Sequence, residues 1–258
     1  MTHYLAELRD GRHIGITGLG DPAGGRLVLF CHPAPGAGGF DPDPPATATA
    51  GIRMIALDRP GYGGSETGPE SPAPLDAWLK DLDEYLHTVE DVASVIANTD
   101  FGPIGVVGWG LGAMYATGLA VRHPELVDRL VLIEPTAPTE ARLTAAEFEG
   151  AIDARLEALN ALDGFLGASD RLGFMLDSAR HGEGGMPLDR RVFTDPHWEK
   201  SLSSIRVSTL ILSSDDSEGA WYQHRIQGAR TFGTWSNPTT TIVEAWPEVL
   251  SFLTQSAD

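Results

Sequence analysis

Ile104-Gly105-Val106-Val107-Gly108-Trp109-Gly110-Leu111-Gly112-Ala113-Met114 is the stretch that decides the fold. An apolar run of strand length leads into glycines spaced two apart, at 108, 110 and 112, and then into a helix-forming sequence. Strand, sharp turn and helix start follow one another with no linker. The middle of the turn is Gly110, which has no side chain and adopts positive φ without strain.

Working outward, the helix runs to about Arg122, where His123-Pro124-Glu125 ends it, and Leu130–Ile133 is the next buried strand. Upstream, residues 75–97 predict an amphipathic helix, with Leu75, Leu79, Leu82, Leu86, Val89, Val92 and Ile96 at three- and four-residue steps. Residues 4–9 and 13–18 read as a hairpin turning at Asp10-Gly11. Arg26–Cys31 and Ile52–Leu57 are continuous apolar strands, as expected where both faces are covered. From Pro135 to about Leu202 the pattern is helical around 144–166 and 168–180, with a flexible stretch at 181–185 and no strand. Arg206–Leu212 resumes the sheet, followed by a helix over 218–229, a weak strand near 231–235 and a last helix over 244–255. Alternating strands and helices predict a mostly parallel sheet with helices on both faces and a ligand site at the strands' carboxyl ends.

The 258 residues carry 36 acidic against 18 basic side chains, a net charge of -18, with no compact basic cluster. Nucleic acid and anionic membranes are therefore not expected partners. The single cysteine, Cys31, lies in an apolar strand, which excludes an internal disulfide and suits a reducing compartment. No segment reads as a signal peptide or reaches transmembrane length, so a cytoplasmic protein is expected. His123, His181 and His197 have no partners at ligand spacing, so no metal is expected.

Three loops together resemble those of the α/β-hydrolase superfamily over nearly the whole chain. His32-Pro33-Ala34-Pro35-Gly36 is similar to its H-G-x-P-G oxyanion loop, with Pro33 for the first glycine. Asp58-Arg59-Pro60-Gly61-Tyr62-Gly63-Gly64-Ser65 matches D-x-P-G-x-G-x-S, and Gly108-Trp109-Gly110-Leu111-Gly112 matches the nucleophile elbow G-x-S-x-G except at its centre. The resemblance implies an eight-stranded, mostly parallel α/β fold with a core of residues 1–134 and 203–258. A helical cap, 135–202, is inserted after the sixth strand.

The resemblance also places the catalytic positions. The nucleophile position is Gly110. The histidine position falls in the segment 234–242, which contains no histidine; Thr239 stands about where it would be, and the last histidine in the chain is His224. The acid is expected at Asp216 (or Asp215), with Glu134, after the sixth strand, as the other place the fold can hold one. Without nucleophile and base, acyl-enzyme chemistry loses roughly 10⁶-fold in rate. The backbone N–H groups of Leu111 and Ala34 need no particular side chain to form an oxyanion hole. His32 is expected as a hydrogen-bonder beneath that loop, and Trp109 as lining the cavity or packing under the turn. Cap residues Phe165, Phe174, Met175 and Trp198 either face an apolar ligand or pack in the core.

The expectation is a cofactor-independent, non-hydrolytic enzyme. It would carry out cyclisation, carbon–carbon bond formation or elimination on an apolar, polycyclic or polyketide-like natural-product intermediate, with Asp216 or Glu134 moving the proton. Two alternatives stand beside it: a non-catalytic small-molecule binding protein (receptor, carrier or resistance protein), and a residual hydrolase that activates water. A homodimer is allowed.

Overall fold

The computed structural model describes residues 2–34, 36–88, 103–138, 184–235, 237–238 and 240–255. Its strands are β1 (Thr2–Glu7), β2 (His13–Gly20), β3 (Arg26–Cys31), β4 (Ile52–Leu57), β5 (Ile104–Trp109), β6 (Val127–Ile133), β7 (Ser208–Leu212) and β8 (Arg230–Thr231). They form one eight-stranded sheet in the order β1-β2-β4-β3-β5-β6-β7-β8. Only β2 runs against its neighbours, pairing antiparallel with β1 and β4. The remaining pairs are parallel. The hairpin turns where Asp10-Gly11 predicts it, with Gly11 at φ +84°.

The described helices are α1 (Pro44–Thr49), α2 (Pro74–Thr88), α3 (Gly112–Arg122), α4 (Gly185–Phe193), α5 (Pro196–Ser201), α6 (Asp216–Arg225), α7 (Thr241–Glu244) and α8 (Trp246–Thr254). Alternate residues of the central strands enter two cores. On one face Val106, Leu130 and Leu132 pack with Trp78, Leu82, Met114 and Leu119 of α2 and α3. On the other, Val107, Val131 and Ile133 meet Trp246, Val249 and Phe252 of α8. This double coverage explains why these strands read as unbroken apolar runs. The indole N–H of Trp246 donates to Thr47 Oγ1 at 2.9 Å, tying α8 to α1 within the second core.

Several bounds differ from the expectations. Helix α1 is absent from the sequence expectations; proline suits its first turn, and Asp43 caps it by accepting from Ala46 N at 3.1 Å. Strand β6 begins earlier than expected, at Val127, and β8 is only two residues long. The second half of the expected helix over 75–97 lies outside the described residues, as do residues 139–183 of the expected cap. Of the cap segment, α4 and α5 are described, and they pack on α2 and α3. Gly184 and Gly185, read as part of a flexible stretch, open helix α4.

Candidate functional site

The turn after β5 is built by sterics. Gly110 holds φ +57°, a conformation L-residues adopt only with strain, and its N–H donates to Ile133 O at 2.9 Å. Helix α3 begins against the end of β3: a Cβ on Gly112 would stand 2.1 Å from Cys31 O and 2.5 Å from His32 O. This close approach brings Leu111 beside the loop that carries His32 and Ala34. Leu111 and Ala34 are both buried, and no acceptor among the described residues takes either N–H.

Glu134 follows β6 as Gly110 follows β5, and since Trp109 pairs with Ile133 the two positions lie side by side. Glu134 is the one non-glycine residue at positive φ (+44°) among the described residues, and it is buried. Such a backbone persists only where its surroundings hold it. Its N–H donates to Leu212 O at 2.7 Å. Its carboxylate collects three donors: Ser214 N (2.8 Å) and Thr241 Oγ1 (2.6 Å) on Oε1, and Ser214 Oγ (2.9 Å) on Oε2. Ser214 comes from the loop after β7 and Thr241 opens α7, so three chain segments converge on this one acid.

The D-x-P-G-x-G-x-S loop has a structural explanation. Asp58 is buried and accepts from Gly38 N (2.6 Å) and Gly64 N (2.8 Å), clamping two loops; burial raises its pKa, against the pull of those two N–H groups. Ser65 Oγ donates to Asp58 O (2.7 Å) and accepts from Gly15 N (3.0 Å), fastening the loop to β2. His32 is wholly buried. Its Nε2 accepts from Arg59 N (3.1 Å), so Nδ1 carries the proton and donates to Pro33 O (2.8 Å). Burial, and then the Arg59 charge, hold its pKa well below the usual 6.5.

Arg59 is also buried, and its guanidinium meets Asp189 of α4 at 2.7 Å (Nη2–Oδ2) and 3.3 Å (Nε–Oδ1). Tyr62 and Tyr115 hydroxyls donate to the same carboxylate at 2.7 and 2.6 Å, and the guanidinium lies 4.9 and 4.8 Å from their ring centres. Burial opposes the Arg59 charge, but Asp189 and the two tyrosines outweigh it and keep its pKa above the ordinary value. Sequence reasoning missed Arg59 and Asp189. The one available signal was an arginine inside a glycine-rich turn.

The other expected site residues are placed as follows. Asp215 caps α6, accepting from Ser217 N (2.8 Å), while Asp216 is exposed in the first turn of that helix. The carboxylate brought beside the elbow is therefore Glu134. Trp109 packs under the turn, with its ring 5.5 Å from Phe40 in the α8-side core. Trp198 is buried and donates to Thr117 Oγ1 at 3.0 Å. His224 lies exposed on α6. Thr239, His181, Phe165, Phe174 and Met175 lie outside the described residues. Among the described residues no group of His, Cys, Asp and Glu side chains clusters as a metal site requires, and no helix is long and apolar enough to cross a membrane.

Known proteins show the same architecture. A family model described as alpha/beta hydrolase fold matches residues 26–221. Over 141 residues the chain is 33% identical to the 2-hydroxy-6-oxononadienedioate/2-hydroxy-6-oxononatrienedioate hydrolase of Burkholderia vietnamiensis, covering 50% of this chain and 43% of that protein. Over 89 residues it is 36% identical to the probable lysophospholipase BODYGUARD 2 of Arabidopsis thaliana, covering 34% and 17%. The matched stretch is thus less than half the length of either relative. Among solved structures, the enol-lactonase from Burkholderia xenovorans LB400 superposes with a TM-score of 0.71 at 18% identity, over 98% of this chain and 100% of that one. A bromoperoxidase from Bacillus anthracis does so with 0.71 at 21%, over 98% and 100%. At such identities these structures speak for the fold alone. With the strand order, the glycine turn after β5 and the matched family model in agreement, this chain belongs to the alpha/beta hydrolase fold family.

Proposed function

We propose that the chain is a small-molecule enzyme that works on a carbonyl-bearing, apolar substrate without a covalent intermediate, with Glu134 as its acid–base group. The observation that carries this reading is the placement of Glu134: buried, at positive φ, beside a turn whose central residue has no side chain. Oε2 has a single described donor, Ser214 Oγ, so a lone pair remains to take a proton. A proton removed from carbon next to the substrate carbonyl would pass to Glu134, and the N–H groups of Leu111 and Ala34 would hold the enolate oxygen. Cyclisation, carbon–carbon bond formation and elimination all begin from such an intermediate. A polycyclic or polyketide-like natural-product intermediate is the substrate class that suits them, and neither metal nor organic cofactor is called for. Residues 135–202 are proposed as the cap over this site.

A second reading is favoured by the hydrolase name of a relative matched by sequence: Glu134 activates water, and the substrate is hydrolysed directly. Turnover in ¹⁸O-labelled water separates the two, since only hydrolysis leaves the label in the product. In either case Glu134→Gln is expected to lower kcat roughly 10²–10⁴-fold with little change in substrate affinity, and Asp216→Asn to leave it near wild type. Unchanged turnover in Glu134→Gln sinks both readings. Binding with no conversion of any candidate substrate by the wild type would leave a carrier or receptor instead. Gly110→Ser is expected to give no esterase activity on p-nitrophenyl esters, because the segment 234–242 holds no histidine to activate the serine.

A further inference from the structure

We infer that Asp189, on helix α4, is a positioning residue for the oxyanion peptide: it holds the Arg59 guanidinium against the carbonyls of His32 and Pro33, and so aims the Ala34 N–H. The inference rests on the reading of that N–H as an oxyanion donor.

The chain of contacts is continuous. Asp189 takes the Nε and Nη2 of Arg59 and the hydroxyls of Tyr62 and Tyr115, so both its oxygens are occupied. Arg59 Nη1 donates to His32 O, and Nη2 reaches Pro33 O at 3.4 Å. Pro33 O also accepts from His32 Nδ1 at 2.8 Å, while His32 Nε2 is fixed by Arg59 N at 3.1 Å. In a trans peptide the N–H points opposite to the carbonyl. Holding Pro33 O toward the guanidinium and imidazole therefore turns the Ala34 N–H away from them.

The seat of α4 is equally specific. A Cβ on Gly185 would stand 2.1 Å from the Tyr62 ring, and one on Gly61 would stand 2.5 Å from Gly185 N. Helix and loop thus approach through glycines at the site where Asp189 enters. Arg59 and Asp189 are each nearly inaccessible to solvent (1% of the side chain). An unpaired charge at such a depth is costly, so removing Asp189 should move Arg59 rather than leave it in place. Docking of α4 and alignment of the Ala34 N–H are then one event.

Amide and imidazole NMR of the isotope-labelled full chain tests this. Asp189→Asn is expected to move the Ala34 amide resonance and to shift the His32 Nε2 signal away from its acceptor-type position. Arg59→Lys keeps a charge opposite Asp189 but cannot span both carbonyls, and is expected to do the same. Tyr62→Phe and Tyr115→Phe remove donors to Asp189 without freeing Arg59, and are expected to lower the thermal midpoint while leaving both signals in place. Wild-type Ala34 and His32 signals in folded Asp189→Asn would overturn the inference, as would equal shifts in the tyrosine variants, which would indicate general loosening. If Asp189→Asn does not fold, Arg59→Lys decides by the same criteria. Separately, 4-nitrophenolate, whose anionic oxygen mimics an enolate, should move the Leu111 and Ala34 amides of the wild type. If it moves neither, the oxyanion reading fails while the positioning by Asp189 is still judged on the variants.

Discussion

His32 shows how a titratable side chain becomes a fixed part. Its two ring nitrogens are committed, one as acceptor from Arg59 N and one as donor to Pro33 O, and the acceptor role requires the neutral ring. Its folded pKa lies well below 6.5, so below that pH the unfolded chain binds a proton the folded chain refuses, and stability falls as pH falls. The slope for one such group approaches about 1.4 kcal/mol per pH unit. Urea unfolding across the acidic side of neutrality should therefore show a steeper loss in the wild type than in His32→Asn; parallel curves would mean His32 titrates normally. Gly110 and Glu134 were both legible as positions, because each follows a recognisable strand. The hydrogen bonds that hold the Glu134 carboxylate were not, since Ser214 and Thr241 are 80 and 107 residues away in sequence.

At the level of elements, α3 lies in close contact with β3. Gly112→Ala would place a methyl group 2.1 Å from the Cys31 carbonyl, which is backbone and cannot rotate away. The helix must shift, and a loss of about 1–3 kcal/mol is expected, read as a thermal midpoint lower by roughly 2–4 °C per kcal/mol. An unchanged midpoint would show that α3 is not held against β3 as described. The loop after β7 teaches the converse lesson. Ser213-Ser214-Asp215-Asp216 resembles an acid site by motif, and Asp215 also satisfies the free N–H groups of a helix start. From the same loop, Ser214 donates twice to the Glu134 carboxylate.

For the molecule as a whole, the net charge of -18 means that compaction brings like charges together. Added salt shortens the reach of that repulsion, from about 30 Å at 0.01 M to about 8 Å at 0.15 M. The thermal midpoint is expected to rise over that range of sodium chloride, and a flat or falling profile would show that the acidic residues are compensated locally. The sequence by itself determined the strands, their parallel arrangement and the turn at Gly110, because apolar periodicity and glycine punctuation are local signals. Only the tertiary structure buried Glu134 beside the turn and left Asp216 exposed, seated Trp109 beneath the turn, and joined Arg59 to Asp189 across 130 residues of sequence. Burial and hydrogen-bond partnership depend on which distant segments meet, and no local pattern encodes that.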